Sequence, residues 1–90
     1  MSERTRPRWT PAEMDDYEAA HDLLNALIAV YSGRIHAAPG EEAVSLLRQE
    51  RAPFLAERDS LTPNSRERIT EILDLLPERI RSVRAGGADE

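Results

Sequence analysis

Between Thr10 and Ile35, Met14, Tyr17, His21, Leu24, Ile28, Tyr31 and Ile35 recur at alternating spacings of three and four. That rhythm draws a single stripe along an α-helix, and Ala20, Leu23, Leu27 and Val30 widen it into a broad apolar face. No other secondary structure places these side chains together. The acids Glu13, Asp15, Asp16, Glu18 and Asp22 crowd the beginning of the same stretch, and no base follows until Arg34. The helix is expected to begin acidic and aromatic and to end greasy. Such an element is either the first helix of a small bundle or the part that reaches into a partner.

Start and stop signals divide the rest of the chain. Thr10-Pro11 reads as N-cap and first helical residue, and Glu13 three positions on completes a capping box. Early acids also suit the positive end of the helix dipole. Pro39-Gly40 ends this segment. A second helix is expected from about residue 41 to 60, with Ala43, Val44, Leu46, Leu47, Phe54, Leu55 and Leu61 on one side. Pro53 falls inside it, where it removes a backbone hydrogen bond and either kinks the helix or splits it. A third helix is expected from about residue 63 to 85, opened by Thr62-Pro63 and striped by Ile69, Ile72, Leu73, Leu76, Ile80 and Val83. Pro77 is expected to kink it, and Gly86-Gly87 to close it. No run alternates with a period of two, so strands are not expected. Short connections make consecutive helices antiparallel neighbours. The expected fold is all-α: an antiparallel three-helix bundle over residues 10–86, its second and third helices kinked at Pro53 and Pro77. Residues 1–9 and 87–90 are expected to be disordered tails.

A chain of 90 residues builds one small domain of marginal stability. A partner or a second copy is a natural source of further burial. There is no Cys, which removes disulfides and thiolate metal sites. The N-terminus has no apolar run of a secretory signal, and nothing approaches the roughly 18 to 20 apolar residues of a membrane span. A soluble cytoplasmic protein is expected. All twelve bases are Arg, so no lysine exists for a Schiff base or a phosphate loop. The net charge of −5 is unevenly spread: residues 1–8 hold three Arg and one Glu, and residues 9–32 hold five acids and no base. A nucleic-acid binder shows a basic face, so this pattern points instead to a basic partner surface.

Several chemistries can be weighed against these residues. Glu18-x-x-His21 has the spacing that di-iron bundles use, but such a site needs two copies and two further carboxylates. The chain has one copy, and a His21 hydrogen-bonded to Glu18 or Asn25 is the simpler expectation. Glu13-x-x-Asp16 and Glu71-x-x-Asp74 could belong to a magnesium-dependent all-helical nucleotide pyrophosphohydrolase, although the Glu-x-x-Glu half is missing. Size alone is similar to the all-helical chorismate mutases, but the Lys and Arg their dianionic substrate demands are absent from the first helix. Arg48, Arg51 and Arg58 along the second helix could form an anion patch, but the simpler expectation is that they are solvated or lay their stems on apolar surface while pairing with acids of the first helix. Trp9, just before the cap, either staples onto Glu13–Met14 or anchors in a partner's pocket.

The run from Tyr17 to Ile35, with Glu50-Arg51 and the stretch Glu57-Arg58-Asp59-Ser60-Leu61-Thr62-Pro63, resembles small actinobacterial three-helix proteins encoded beside zeta-type kinase toxins. In size and helix count the chain is also similar to the epsilon antitoxins. That resemblance implies a non-catalytic antitoxin without cofactor or metal. Its partner would be a P-loop kinase that phosphorylates a nucleotide sugar of wall synthesis, with the nucleotide site obstructed by the antitoxin's N-terminal helix. The contact residues expected here, Trp9, Glu13, Asp16, Tyr17 and His21, come from the chemistry of this helix. A second expectation is a homodimeric scaffold in which the stripe of helix one packs on its own copy.

Overall fold

The computed structural model describes residues 10–89, with side chains through Ala85. It is all-helical, with three helices and no strand among the described residues: α1 (Pro11–Ala37), α2 (Glu41–Ser60) and α3 (Arg66–Asp89).

The start of α1 follows from its cap. The Thr10 hydroxyl accepts from the Glu13 backbone N–H, and the Glu13 carboxylate accepts from the Thr10 N–H. Two of the helix's orphan donors are satisfied in this way. At the start of α2 no side chain caps the helix, because Gly40 stands at the N-cap. Glu41 and Glu42 supply the favourable charge there.

The third helix differs from expectation at both ends. Residues 62–65 form a closed turn: the Ser65 N–H donates to the Thr62 carbonyl, and the Asn64 N–H donates to Thr62 Oγ1 at 3.2 Å. Pro63 sits second in that turn, where its fixed φ is preferred. Thr62-Pro63 therefore makes a turn, and the helix opens after Ser65, three residues later than the repeated Thr-Pro pattern suggests. At the other end α3 continues through Gly86 and Gly87 to Asp89. The glycines do not terminate it.

Both internal prolines lie inside unbroken helices, so Pro53 does not split α2 into two pieces. The N–H missing at Pro53 would have bonded the carbonyl of Gln49. Pro53 and Gln49 are both exposed, so water can serve that carbonyl.

The core is organised around α1. Ala20, Leu24, Leu27 and Tyr31 are fully buried, and from α3 they meet Ile69, Ile72, Leu76, Ile80 and Val83, with Leu61 closing the turn. The middle of the stripe that opens the sequence, Leu24, Ile28 and Tyr31, is thus buried within the chain. Met14, Tyr17, His21 and Ile35 of the same stripe remain half-buried. Both α2 and α3 pack on α1, yet no Cα of α2 lies within 8 Å of a Cα of α3. None of the side chains of α2 is buried. Phe54, Leu47 and their neighbours are half-covered only.

Four polar bridges tie α2 and α3 to α1. Arg58 donates to Asn25 at 3.2 Å and Arg51 to Ser32 at 2.9 Å, joining α2 to α1. Arg66 donates to the Glu13 carbonyl and Arg34 to the Val83 carbonyl, joining α1 to α3 at two levels. Between α1 and α2, Tyr31 stacks on Phe54 with ring centroids 6.0 Å apart. The Arg79 guanidinium lies 5.8 Å from the Phe54 centroid and donates to the Tyr31 hydroxyl.

Candidate functional site

The acidic beginning of α1 divides into two groups. Glu13 is spent on the cap, and its carbonyl accepts from Arg66. Asp16 pairs with Arg66 at 3.6 Å. These two tie α1 to the first turn of α3. The remaining acids, Asp15, Glu18 and Asp22, are exposed and have no ion pair or hydrogen bond among the described residues. Their spacing of three and four sets them on a single face of the helix. At the sequence level nothing separated the paired acids from the free ones, because the separation depends on where Arg66 falls after the 62–65 turn.

Beside the free carboxylates stand the expected aromatic residues. Tyr17 is half-buried against the core and its ring centroid is 6.0 Å from that of His21. Asn25 Nδ2 lies 3.4 Å from His21 Nδ1, one helical turn on. That contact is the bland role expected for the histidine, with Asn25 as partner. Tyr17, Glu18, His21 and Asp22 line a shallow cleft of about 200 Å³. The last side-chain bond from α2 reaches α1 at Asn25, so this cleft lies beyond the part of α1 that α2 grips. Trp9 falls outside the described residues.

Among the described residues no group of three or more His, Asp or Glu gathers where a metal ion could sit. Three of the four carboxylates weighed for magnesium are engaged elsewhere: Glu71 pairs with Arg68, and Glu13 and Asp16 are tied as above, while Asp74 has no ion pair or hydrogen bond among the described residues. Arg68 also forks onto Glu57, from Nε and from Nη2, the latter at 2.7 Å. The hydrogen bonds to Glu57, and then to Glu71, hold the Arg68 guanidinium more firmly protonated than a free arginine. This clamp joins the last turns of α2 to the first of α3. Arg51 and Arg58 lie along α2 as expected, but on α1 they bond Ser32 and Asn25 rather than acids, and Arg58 also pairs with Asp59 at 3.5 Å. Arg48 is exposed.

No helix of the described residues is long and apolar enough to cross a membrane. Comparison with protein-family models, with characterised proteins and with solved structures finds no match.

Proposed function

We propose that this chain is a non-catalytic protein-binding module whose partner presents a basic surface, most specifically an antitoxin for a zeta-type P-loop kinase. The observation that carries the reading is the row of unpaired carboxylates Asp15, Glu18 and Asp22, set beside half-buried Tyr17 and His21. Carboxylates with no partner among the described residues are free to meet cations, and a nucleotide site built to hold ATP phosphates is rich in them. Tyr is among the residues that dominate interface energetics. On this reading the first helix occludes the kinase's nucleotide site in the cytoplasm. Asp15, Glu18 and Asp22 supply more of the contact than Glu13 and Asp16, which are already engaged.

The body presenting this face is read as an antiparallel three-helix bundle bent at Pro53 and Pro77. Contacts that descend α1 from Ser32 to Asn25 as they climb α2 from Arg51 to Arg58 support the first part. The clash of a proline ring with the carbonyl four residues earlier, and the hydrogen bond it removes, support the second.

The test is titration of the chain against a purified zeta-type kinase, followed by size exclusion and by kinase activity. A complex at micromolar concentration with loss of activity is expected. Glu18→Arg with Asp22→Arg should weaken it by at least about tenfold, with a shallower salt dependence. If the unmodified chain forms no complex at micromolar concentration, the antitoxin reading fails.

A further inference from the structure

Asn25 is met from two sides. From α2, Arg58 Nη1 donates to Asn25 Oδ1 at 3.2 Å, and along α1 Asn25 Nδ2 lies 3.4 Å from His21 Nδ1. Chemistry decides which way round the Asn25 amide stands. A guanidinium has donors and no acceptor, so the Asn25 atom it meets is the carbonyl oxygen. The other terminal atom is then the NH2, which donates only. His21 Nδ1 must accept from it, so Nδ1 carries no proton and the proton of the neutral ring sits on Nε2. Nε2 has no hydrogen bond among the described residues.

The two ends of this relay belong to different parts of the molecule. Arg58 stands in the last turn of α2, where it also pairs with Asp59. His21 lines the cleft on α1 together with Tyr17, Glu18 and Asp22. These three are the titratable groups beside the imidazole on its own helix, and Arg58 reaches it from α2 through Asn25. No hydrogen bond, ion pair or ring contact joins α3 to His21 among the described residues. An imidazolium donates from both nitrogens. Asn25 would then either turn its carbonyl to His21 and give up Arg58, or keep Arg58 and set two donors face to face.

We infer that Arg58, Asn25 and His21 form a switch: Asn25 is the positioning residue that holds His21 in its Nε2–H form, and protonation of His21 loosens the last turn of α2 from α1. The grip is present above the range in which histidine titrates and is lost as the pH falls through it. Coupling of this kind is reciprocal, so the seating of α2 also sets which hydrogen-bonding groups the cleft offers. None of this depends on the antitoxin reading, and no kinase enters the test.

Nitrogen-15 NMR of the His21 ring in the full chain, at about pH 8 where histidine is neutral, reads the positioning. The unmodified chain should show Nδ1 without a proton. Arg58→Glu replaces a donor by an acceptor, so Asn25 should turn its NH2 to α2 and its carbonyl to His21. The ratio of Nδ1–H to Nε2–H forms should then rise at least about threefold, the scale of one partly solvated hydrogen bond. Arg58→Glu also changes a nearby charge, so it is repeated with Asn25→Ala, where the rise should disappear. Asn25→Asp, at an exposed position, offers His21 acceptors only and should also move the proton to Nδ1. It serves as well if Arg58→Glu loses its helical circular dichroism. Hydrogen exchange of the α2 amides next to Arg58, corrected for the intrinsic rate, reads the switch. Their protection should fall at least about twofold between about pH 7.5 and about pH 5, and stay level in His21→Gln, which accepts but does not titrate. A His21 ring unmoved by Arg58→Glu and by Asn25→Asp overturns the inference. So does a rise that persists without Asn25, or a protection that falls no further than in His21→Gln.

Discussion

Tyr31 does three jobs at one position. Its ring is fully buried, it stacks on Phe54 of α2, and its hydroxyl accepts from Arg79 of α3. Tyr31→Ala should therefore cost about 3–5 kcal/mol, a large part of the about 5–15 kcal/mol available to a small domain. Loss of a cooperative thermal transition near room temperature would be the readout. Tyr31→Phe keeps the ring and should cost no more than about 1 kcal/mol. Arg68 is the other residue that joins elements, through a forked bond to Glu57. Lysine cannot reproduce the fork, so Arg68→Lys should lower the urea midpoint, by an amount limited to about 1 kcal/mol because the guanidinium is partly solvated. The core residues were legible from their spacing of three and four. Arg68 was not legible in that way, because its bond to Glu57 spans two elements and depends on the intervening turn.

Among the elements, α1 carries an avoidable weakness. Gly33 lies in its interior with ordinary helical backbone, and a Cβ built there would meet nothing within 4 Å. Gly33→Ala should raise stability by about 1 kcal/mol, seen as a higher melting temperature. Pro53 offers the same opportunity in α2: it is exposed and sits in a continuous helix, so Pro53→Ala restores a hydrogen bond to Gln49. A gain of about 1–3 kcal/mol is expected. At the entry to α1, Thr10→Ala removes one half of the capping box and should cost about 1 kcal/mol. The starts of α1 and α2 could be read from Thr10-Pro11-x-Glu13 and Pro39-Gly40. The start of α3 could not, because Thr-Pro serves equally well as a cap or as the opening of a β-turn. Ser65, able to accept from Thr62 and to close the turn, tips the choice. Its neighbours gave no sign of this.

At the scale of the whole molecule, the acidic half of the first helix was visible in composition, but the division of labour within it was not. Which carboxylates remain free depends on Arg66, 53 positions after Glu13. The absence of contact between the backbones of α2 and α3 has a further consequence for how the molecule breathes. Since α1 is the only helix among the described residues whose backbone neighbours α2, and α2 buries no side chain, detaching it leaves the α1–α3 pair in contact. Opening free energies differ between parts of a protein according to such contacts. Native-state hydrogen exchange should show the amides of α2 exchanging through a partial opening, well below the free energy that protects the centres of α1 and α3. Equal protection in all three helices would contradict this. The second helix then behaves as a shutter on a two-helix frame, and anything that clasps it to α3 from outside would act by holding that shutter closed.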